Sequence, residues 1–240
     1  MNVLIVHAHN EPRSFCTALC RLAEQTLREQ GHAVKVSDLY GMNWNPVASE
    51  ADFLERRNPD YLVYALEQRE AVTAQTLAAD IREELDKLLW ADLVIFNFPV
   101  YWFSVPAILK GWFDRVLVSG ICYGGKRFYD QGGLAGKRAL VGVTLGGRDD
   151  MFGESGIHGP LEAMLKPVLQ GTLGYAGCSV LKPFAGWHIP YISAEQRVQV
   201  LQAWRTRLAA LAEEADFLPM PDLADFGARY ESSGHKGATS

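Results

Sequence analysis

Cysteine is scarce in this chain, positive charge is not in excess, and no apolar run is long. The four cysteines, Cys16, Cys20, Cys122 and Cys178, form no C-x-x-C pair. Cys16 and Cys20 fall on one helical face, an arrangement that suits packing better than a disulfide. All four read as structural thiols of a reducing compartment. No uninterrupted apolar stretch reaches membrane-spanning length, so no stable membrane insertion is expected. The net charge of −5 argues against a non-specific nucleic-acid binder. No G-x-x-x-x-G-K-[ST] is present and no G-x-G-x-x-G follows the first strand, so neither a P-loop NTPase nor a dinucleotide Rossmann site is expected. The absence of G-x-S-x-G argues against a serine hydrolase. The first strand ends in histidine rather than paired aspartates, unlike a response regulator. The chain enters that strand without a basic leader or a cleavable signal, so a cytoplasmic location is expected.

What remains is the material of a well-filled core. Of 240 residues, 48% are hydrophobic and 21% charged, enough for one large α/β domain. Val3, Leu4, Ile5 and Val6 form a continuous apolar run, the mark of a strand covered on both faces. Further strands are expected at 33–37, 92–98, 138–144 and 179–183. Helices are expected from Ser14 to about 30, at 68–90, 107–118 and 159–171, and from Ser193, where Gln196 completes a capping-box spacing. The helix at 68–90 rests on Leu77, Ile81, Leu85, Leu88 and Leu89 at helical spacing. Residues 41–67 read as an inserted loop with a short helix near 50–57. Strand and helix alternate five times, which predicts a doubly wound, five-stranded parallel sheet of order 2-1-3-4-5 with helices on both faces. The domain is expected to span 1–217. Residues 218–240 form a tail whose last ten residues are expected to be mobile.

The strand at 92–98 runs into Pro99-Val100-Tyr101-Trp102-Phe103-Ser104-Val105-Pro106. Three consecutive aromatic residues thus stand at the carboxyl end of a strand, where open α/β sheets bind ligands. Two prolines stiffen the turn, and flat side chains there suit a flat heterocycle such as a flavin. After the first strand, Ser14 and Arg13 with the backbone N–H groups of a helix start suit a phosphate; taken alone, the loop is equally an ordinary capped helix. His7 and His9 share a strand face but lack a completing ligand, so no metal is expected. His9 is better read as a donor to a phosphate or ribose. Thr144-Leu145-Gly146-Gly147 ends the fourth strand, and its two glycines let N–H groups approach the polar edge of a ligand. Tyr123 and His158, in Gly-rich segments, supply a phenol and an imidazole to a substrate oxygen.

Several longer stretches carry a resemblance: Ser37-Asp38-Leu39-Tyr40, Met42-Asn43-Trp44-Asn45-Pro46, Ala91-Asp92-Leu93-Val94-Ile95-Phe96, Trp102-Phe103 with Val105 to Phe113, and Gly156-Ile157-His158-Gly159. Over about residues 2–213 the chain resembles the NAD(P)H:quinone oxidoreductases of flavodoxin-like fold, the DT-diaphorase type that binds FAD. The resemblance implies two-electron reduction of quinones by NAD(P)H in a ping-pong reaction through the flavin, in a homodimer. It implies that His9, Arg13, Ser14, Phe15 and Cys16 hold the FAD phosphates and adenosine side. Pro99, Val100, Tyr101, Trp102 and Phe103 would line the ring and ribityl chain. Thr144, Leu145, Gly146 and Gly147 would meet the flavin's polar edge, and Ile189, Arg197 and Leu201 would close over the adenine. Tyr123, Phe128, Phe152, His158 and Tyr175 would form the substrate pocket with Trp102 and Phe103, partly from the second subunit. His158, Tyr123, Gly146 and Gly147 are the catalytic candidates.

Two positions depart from the pattern. Phe152 replaces the family's catalytic tyrosine, and Gly125 replaces a second pocket tyrosine, which widens the site. The carboxyl-terminal extension of the longer members is shorter here, which leaves the donor, NADH or NADPH, open. Two rival readings stand beside this one: an FMN-dependent azo- or nitro-reductase, and a flavin-bearing regulatory subunit of a potassium-efflux system. The 41–67 insertion and Arg197 favour FAD over FMN.

Overall fold

Strand β1 (Asn2–His7) is central, and its apolar run is fully buried from Val3 to Val6. A computed structural model of the chain describes residues 1–227 and 230. β1 pairs in parallel with β2 (Ala33–Asp38) on one side and with β3 (Leu93–Pro99) on the other. β3 pairs with β4 (Arg138–Thr144), so that Asn97 faces Gly142 and Pro99 faces Thr144. The far edge of β4 takes two short pieces, β5 (Ser179–Val180) and β6 (Phe184–Gly186), both parallel. The expected order 2-1-3-4-5 is therefore the observed one.

The fifth strand breaks where 179–183 was expected to run through. Pro183 has no N–H to offer the ladder, and the Lys182 N–H turns to the Asp216 carbonyl at 3.3 Å. The chain then rejoins β4 as β6, so the ligand edge of the sheet ends at Gly186.

Successive strand side chains point to opposite faces, and two cores result. Leu4, Val6, Val94 and Phe96 join a core with Ile81, Leu85 and Trp112. Val3, Ile5, Leu93 and Ile95 join the other, with Leu19, Leu27, Trp204 and Leu208. The second core lies under α1 (Phe15–Glu29) and the carboxyl-terminal helix. The Trp204 indole N–H there donates to the Leu19 carbonyl at 3.1 Å.

Several helices differ from expectation. The segment 68–90 is two helices, α2 (Tyr64–Ala74) and α3 (Ala79–Trp90), separated at Gln75, which adopts φ +60°. Leu77 lies outside both helices, in a bridge to Phe53. The expected helix at 50–57 is one 3-10 turn, Glu50–Asp52, with a capping box from Ser49. α4 (Ala107–Val116) ends two residues before 118. The helix expected at 159–171 is broken by Pro167 into α5 (Leu161–Met164), α6 (Lys166–Val168) and a π-helical turn, Leu169–Gly174. α7 (Ala194–Ala210) carries the Ser193–Gln196 capping box as expected.

The insertion is tied to α3 and α4 by buried charge. Arg115 donates to Asp52 Oδ1 from Nε and Nη2 at 3.1 and 2.8 Å, and to Asp80 Oδ2 from Nη1 at 2.8 Å. Its guanidinium lies over the Trp44 ring at 4.5 Å. Tyr64 donates its hydroxyl to the other Asp52 oxygen at 2.5 Å. Gly111 lies so close to Pro46 that a Cβ there would collide with Pro46 backbone.

The tail begins against the sheet edge. Leu218 N–H donates to the Val180 carbonyl at 2.8 Å, and Leu218 and Met220 pack on the core. The end expected to be mobile, 231–240, lies outside the described residues. Among the described residues no helix is long and apolar enough to cross a membrane.

Candidate flavin site

A cavity of about 300 Å³ opens at the carboxyl ends of β1, β3 and β4. His9, Ser14, Phe15 and Cys16 wall it from the β1–α1 loop. Pro99, Val100 and Tyr101 wall it from the end of β3, and Thr144, Leu145 and Gly146 from the end of β4. Ile189 and Pro190 close it from beyond β6.

The β3 turn is strained in a specific way. Trp102 and Phe103 both have positive φ, +50° and +60°. Tyr101 and Ser104 exchange two backbone hydrogen bonds of 3.0 Å across them. Two consecutive left-handed residues between reciprocally bonded neighbours make a type I′ turn, which ordinarily selects Asn and Gly. Bulky residues in that region cost roughly 1–3 kcal/mol each. The turn lifts Trp102 until it is 95% exposed and leaves Phe103 half-exposed. Neither Trp102 nor Phe103 N–H donates to any group among the described residues.

In the β1–α1 loop the Glu11 N–H donates to His9 Nδ1 at 3.0 Å. Burial holds the His9 pKa below its ordinary value, so the ring is neutral near pH 7 and carries its proton on Nε2. Ser14 caps α1 by accepting from the Thr17 N–H at 3.0 Å. The N–H groups of Phe15 and Cys16, ahead of it in the first turn, have no partner among the described residues. His7 belongs to the core instead. Asn97 Nδ2 lies 2.8 Å from its Nδ1 and Thr17 Oγ1 lies 3.1 Å from its Nε2, and burial lowers its pKa. His7 and His9 thus have separate jobs. The Cys16 thiol reaches the cavity wall, but burial pushes its pKa to about 12, so it stays protonated and unreactive.

At the end of β4 the N–H groups of Gly146 and Gly147 are also free of partners among the described residues. Gly147 is required by crowding, because a Cβ there would stand 2.7 Å from the Phe152 ring. Both glycine carbonyls are held by His188: its Nδ1 lies 2.7 Å from the Gly146 oxygen, and its backbone N–H donates to the Gly147 oxygen at 2.8 Å.

The expected substrate residues form two groups in one chain. His158 stands edge-on to Phe103 at 5.1 Å and beside Phe152 at 4.9 Å, and Phe152 continues to Trp187 at 5.1 Å. Tyr175 stacks on Phe128 at 5.6 Å with 9° between the rings and lies 6.1 Å from Tyr123. The second group has no ring contact with the first. Tyr123 and Tyr175 wall a separate cavity of about 220 Å³ with Lys110.

Six expected cofactor contacts do not line the cavity: Trp102, Phe103 and Gly147, which adjoin its lining residues Tyr101 and Gly146 in the chain, and three others. Arg13 points to solvent and pairs with Glu11 at 3.3 Å. Arg197 donates to the Ile189 carbonyl at 3.2 Å from Nη2, behind the wall. Leu201 lines a groove between α1 and α7. Trp187, His188 and Pro190 were not expected. They follow β6, and a strand thought to end at 183 hides that they stand at the ligand edge.

The arrangement fits a flavin nucleotide. Unpaired N–H groups of Phe15 and Cys16 and the His9 Nε2–H suit phosphate oxygens. The N–H groups of Gly146 and Gly147 suit the electron-rich edge of the ring, and the 101–103 turn offers aromatic surface beside it.

A doubly wound sheet with this order and a ligand cavity across β1, β3 and β4 defines a flavodoxin-like protein. A family model described as flavodoxin-like fold matches residues 1–208, and the chain belongs to that family. Within it, the chain belongs with the NAD(P)H and ribosyldihydronicotinamide quinone dehydrogenases. It is 46% identical over 223 residues to a protein of Pongo abelii named ribosyldihydronicotinamide dehydrogenase [quinone], covering 92% of this chain and 95% of that one. It is 42% identical to NAD(P)H dehydrogenase [quinone] 1 of Rattus norvegicus, covering 88% of this chain and 78% of that one. A crystal structure of a candidate quinone reductase from Klebsiella pneumoniae matches with a TM-score of 0.93 and 36% identity, covering 99% of this chain and 97% of that one.

Proposed function

We propose that the chain is an FAD-dependent quinone reductase that takes electrons from NAD(P)H in a ping-pong reaction. The observation that carries this reading is the strained aromatic turn at Trp102–Phe103, next to Tyr101 of the cavity wall, together with the free N–H groups of Gly146, which lines the cavity, and of Gly147, which follows it. When bound, the flavin supplies the hydride chemistry, accepting from the dihydronicotinamide and passing to the quinone. The residues of the chain bind, orient and protonate. His9 Nε2–H and the N–H groups of Phe15 and Cys16 hold phosphate. Ile189, with Arg197 behind it, borders the adenosine side, and Leu201 lies further along α7. Gly146 and Gly147 offset negative charge at the ring edge.

Trp102 and Phe103 floor the site where donor and acceptor take turns. His158 hands a proton to the quinone oxygen, and Phe152 beside it has no hydroxyl with which to relay another. Tyr123, Phe128 and Tyr175 complete the pocket from a second copy, so the working unit is a homodimer with two shared sites and a cytoplasmic location. Residues 1–217 form the flavin-binding domain. The 41–67 insertion and Arg197 support FAD over FMN.

The test is to purify the protein, release its cofactor and weigh it, then follow NAD(P)H oxidation with a quinone. A yellow protein yielding FAD with quinone-dependent turnover is expected. A colourless protein that takes up neither FAD nor FMN overturns the reading. FMN with azo turnover points to an azoreductase, and retention on a potassium-efflux membrane protein without turnover points to a regulatory subunit.

A further inference from the structure

We infer that His188 is a positioning residue that aims the Gly147 N–H at the flavin edge and thereby sets the reduction potential of the bound cofactor. The inference rests on the flavin reading above.

The Gly146 carbonyl and the Gly147 N–H belong to one peptide. In a trans peptide the two point in opposite directions, so a bond on the carbonyl fixes where the N–H points. His188 supplies that bond, with Nδ1 2.7 Å from the Gly146 oxygen. Its backbone N–H holds the next carbonyl, Gly147 O, at 2.8 Å. One residue therefore clamps both peptides of a glycine pair that has no side chains to restrain it. A hydrogen bond on a carbonyl also polarises its peptide and strengthens the N–H on the other side. His188 holds this position at φ +54°, a conformation uncommon for any residue other than glycine. Strain persists where the surroundings determine the conformation, and here the backbone bond to Gly147, the ring bond to Gly146 and the Tyr191 ring at 4.7 Å do so. The Gly147 N–H is left free of partners among the described residues, on the side opposite the carbonyl that His188 holds.

Negative charge gathers at the ring edge on reduction, so a well-aimed N–H favours the reduced cofactor over the oxidised one. The experiment compares the wild type with His188→Gly, which keeps the backbone at ease at positive φ but removes the ring, and with His188→Asn, whose side-chain amide donates from nearly the same place and tolerates positive φ. The NMR shift of the Gly147 amide nitrogen, which follows hydrogen bonding at the preceding carbonyl, is read first in flavin-free protein. It is expected to move in His188→Gly and to stay near wild type in His188→Asn. The midpoint potential of FAD-loaded protein is read second. The reduced-to-oxidised affinity ratio is expected to fall about tenfold in His188→Gly, roughly 30 mV for two electrons, and to recover in His188→Asn. An unchanged potential in His188→Gly with FAD still bound overturns the proposal and leaves the flavin reading intact. A wild type that takes up no flavin overturns both, while the shift of the Gly147 amide nitrogen still reports whether the clamp exists.

Discussion

His158 is the group whose role a single substitution isolates. It touches Phe103 and Phe152, on the side of the site where an acceptor would lie over the 101–103 turn. In stopped-flow, His158→Gln is expected to leave flavin reduction by NAD(P)H near normal. Reoxidation by quinone should slow by about 10²-fold or less, the low end for general acid help, because water reaches an open pocket. If both halves keep their rates, His158 is only wall. His7 gives a second, unrelated prediction. Burial lowers its folded pKa below the ordinary value near 6.5. Between those two values the unfolded chain binds a proton that the folded chain refuses, so stability rises with pH through that window and falls on acidification below about pH 6.5. His9 and His32 are depressed in the same direction, also by burial. His7→Gln should therefore flatten the dependence of Tm on pH below about 6.5 without abolishing it; an unaltered slope would show that His7 does not contribute. At this scale the legible residues were those defined by local chain: Ser14 as a cap, the glycine pair, the aromatic turn. His188 and Trp187 were hidden because their meaning depends on the chain rejoining β4 after a proline break.

At the scale of elements, the insertion is held by the Arg115 network rather than by a helix of its own. Removing the guanidinium leaves the buried Asp52 carboxylate with only the Tyr64 hydroxyl and the Ser49 backbone N–H. Arg115→Ala is expected to cost about 3–5 kcal/mol in urea unfolding. Asp52→Asn in the same chain should recover part of the loss, and a cost below 1 kcal/mol would show the pair to be solvated and dispensable. Sheet order was legible because five apolar runs at strand length alternate with helical spacing. The division of 64–90 was not. Leu77 lies in the break yet keeps helical spacing with Ile81, Leu85 and Leu88 of α3, and the turn at Gln75 is marked by no glycine or proline. Pro167 and Pro183 were visible marks, and each interrupts an element that apolar spacing alone would run through.

At the scale of the molecule, the separation of the two substrate groups carries the oligomer prediction. His158 and Phe152 line one part of the chain, and Tyr123, Phe128 and Tyr175 another with no ring contact between them. Light scattering is expected to give a dimer. Co-expression of His158→Gln with a Tyr123→Ala, Tyr175→Ala double variant should raise quinone turnover above that of either homodimer, because a mixed dimer holds one site with both groups intact. No recovery from a confirmed mixed dimer would mean that each chain builds its site alone.

The sheet order also governs how the chain must emerge from the ribosome. β1 and β2 can pair as soon as residue 38 is free, but the other edge of β1 is filled only by β3, after residues 39–92 have been made. At about 5–20 residues per second that interval is roughly 3–10 s. Throughout it, the apolar strand from Val3 to Val6 offers an open row of backbone donors and acceptors, the template on which nascent chains aggregate. Translation speed across the insertion and α3 thus sets how long the newborn sheet stands unguarded.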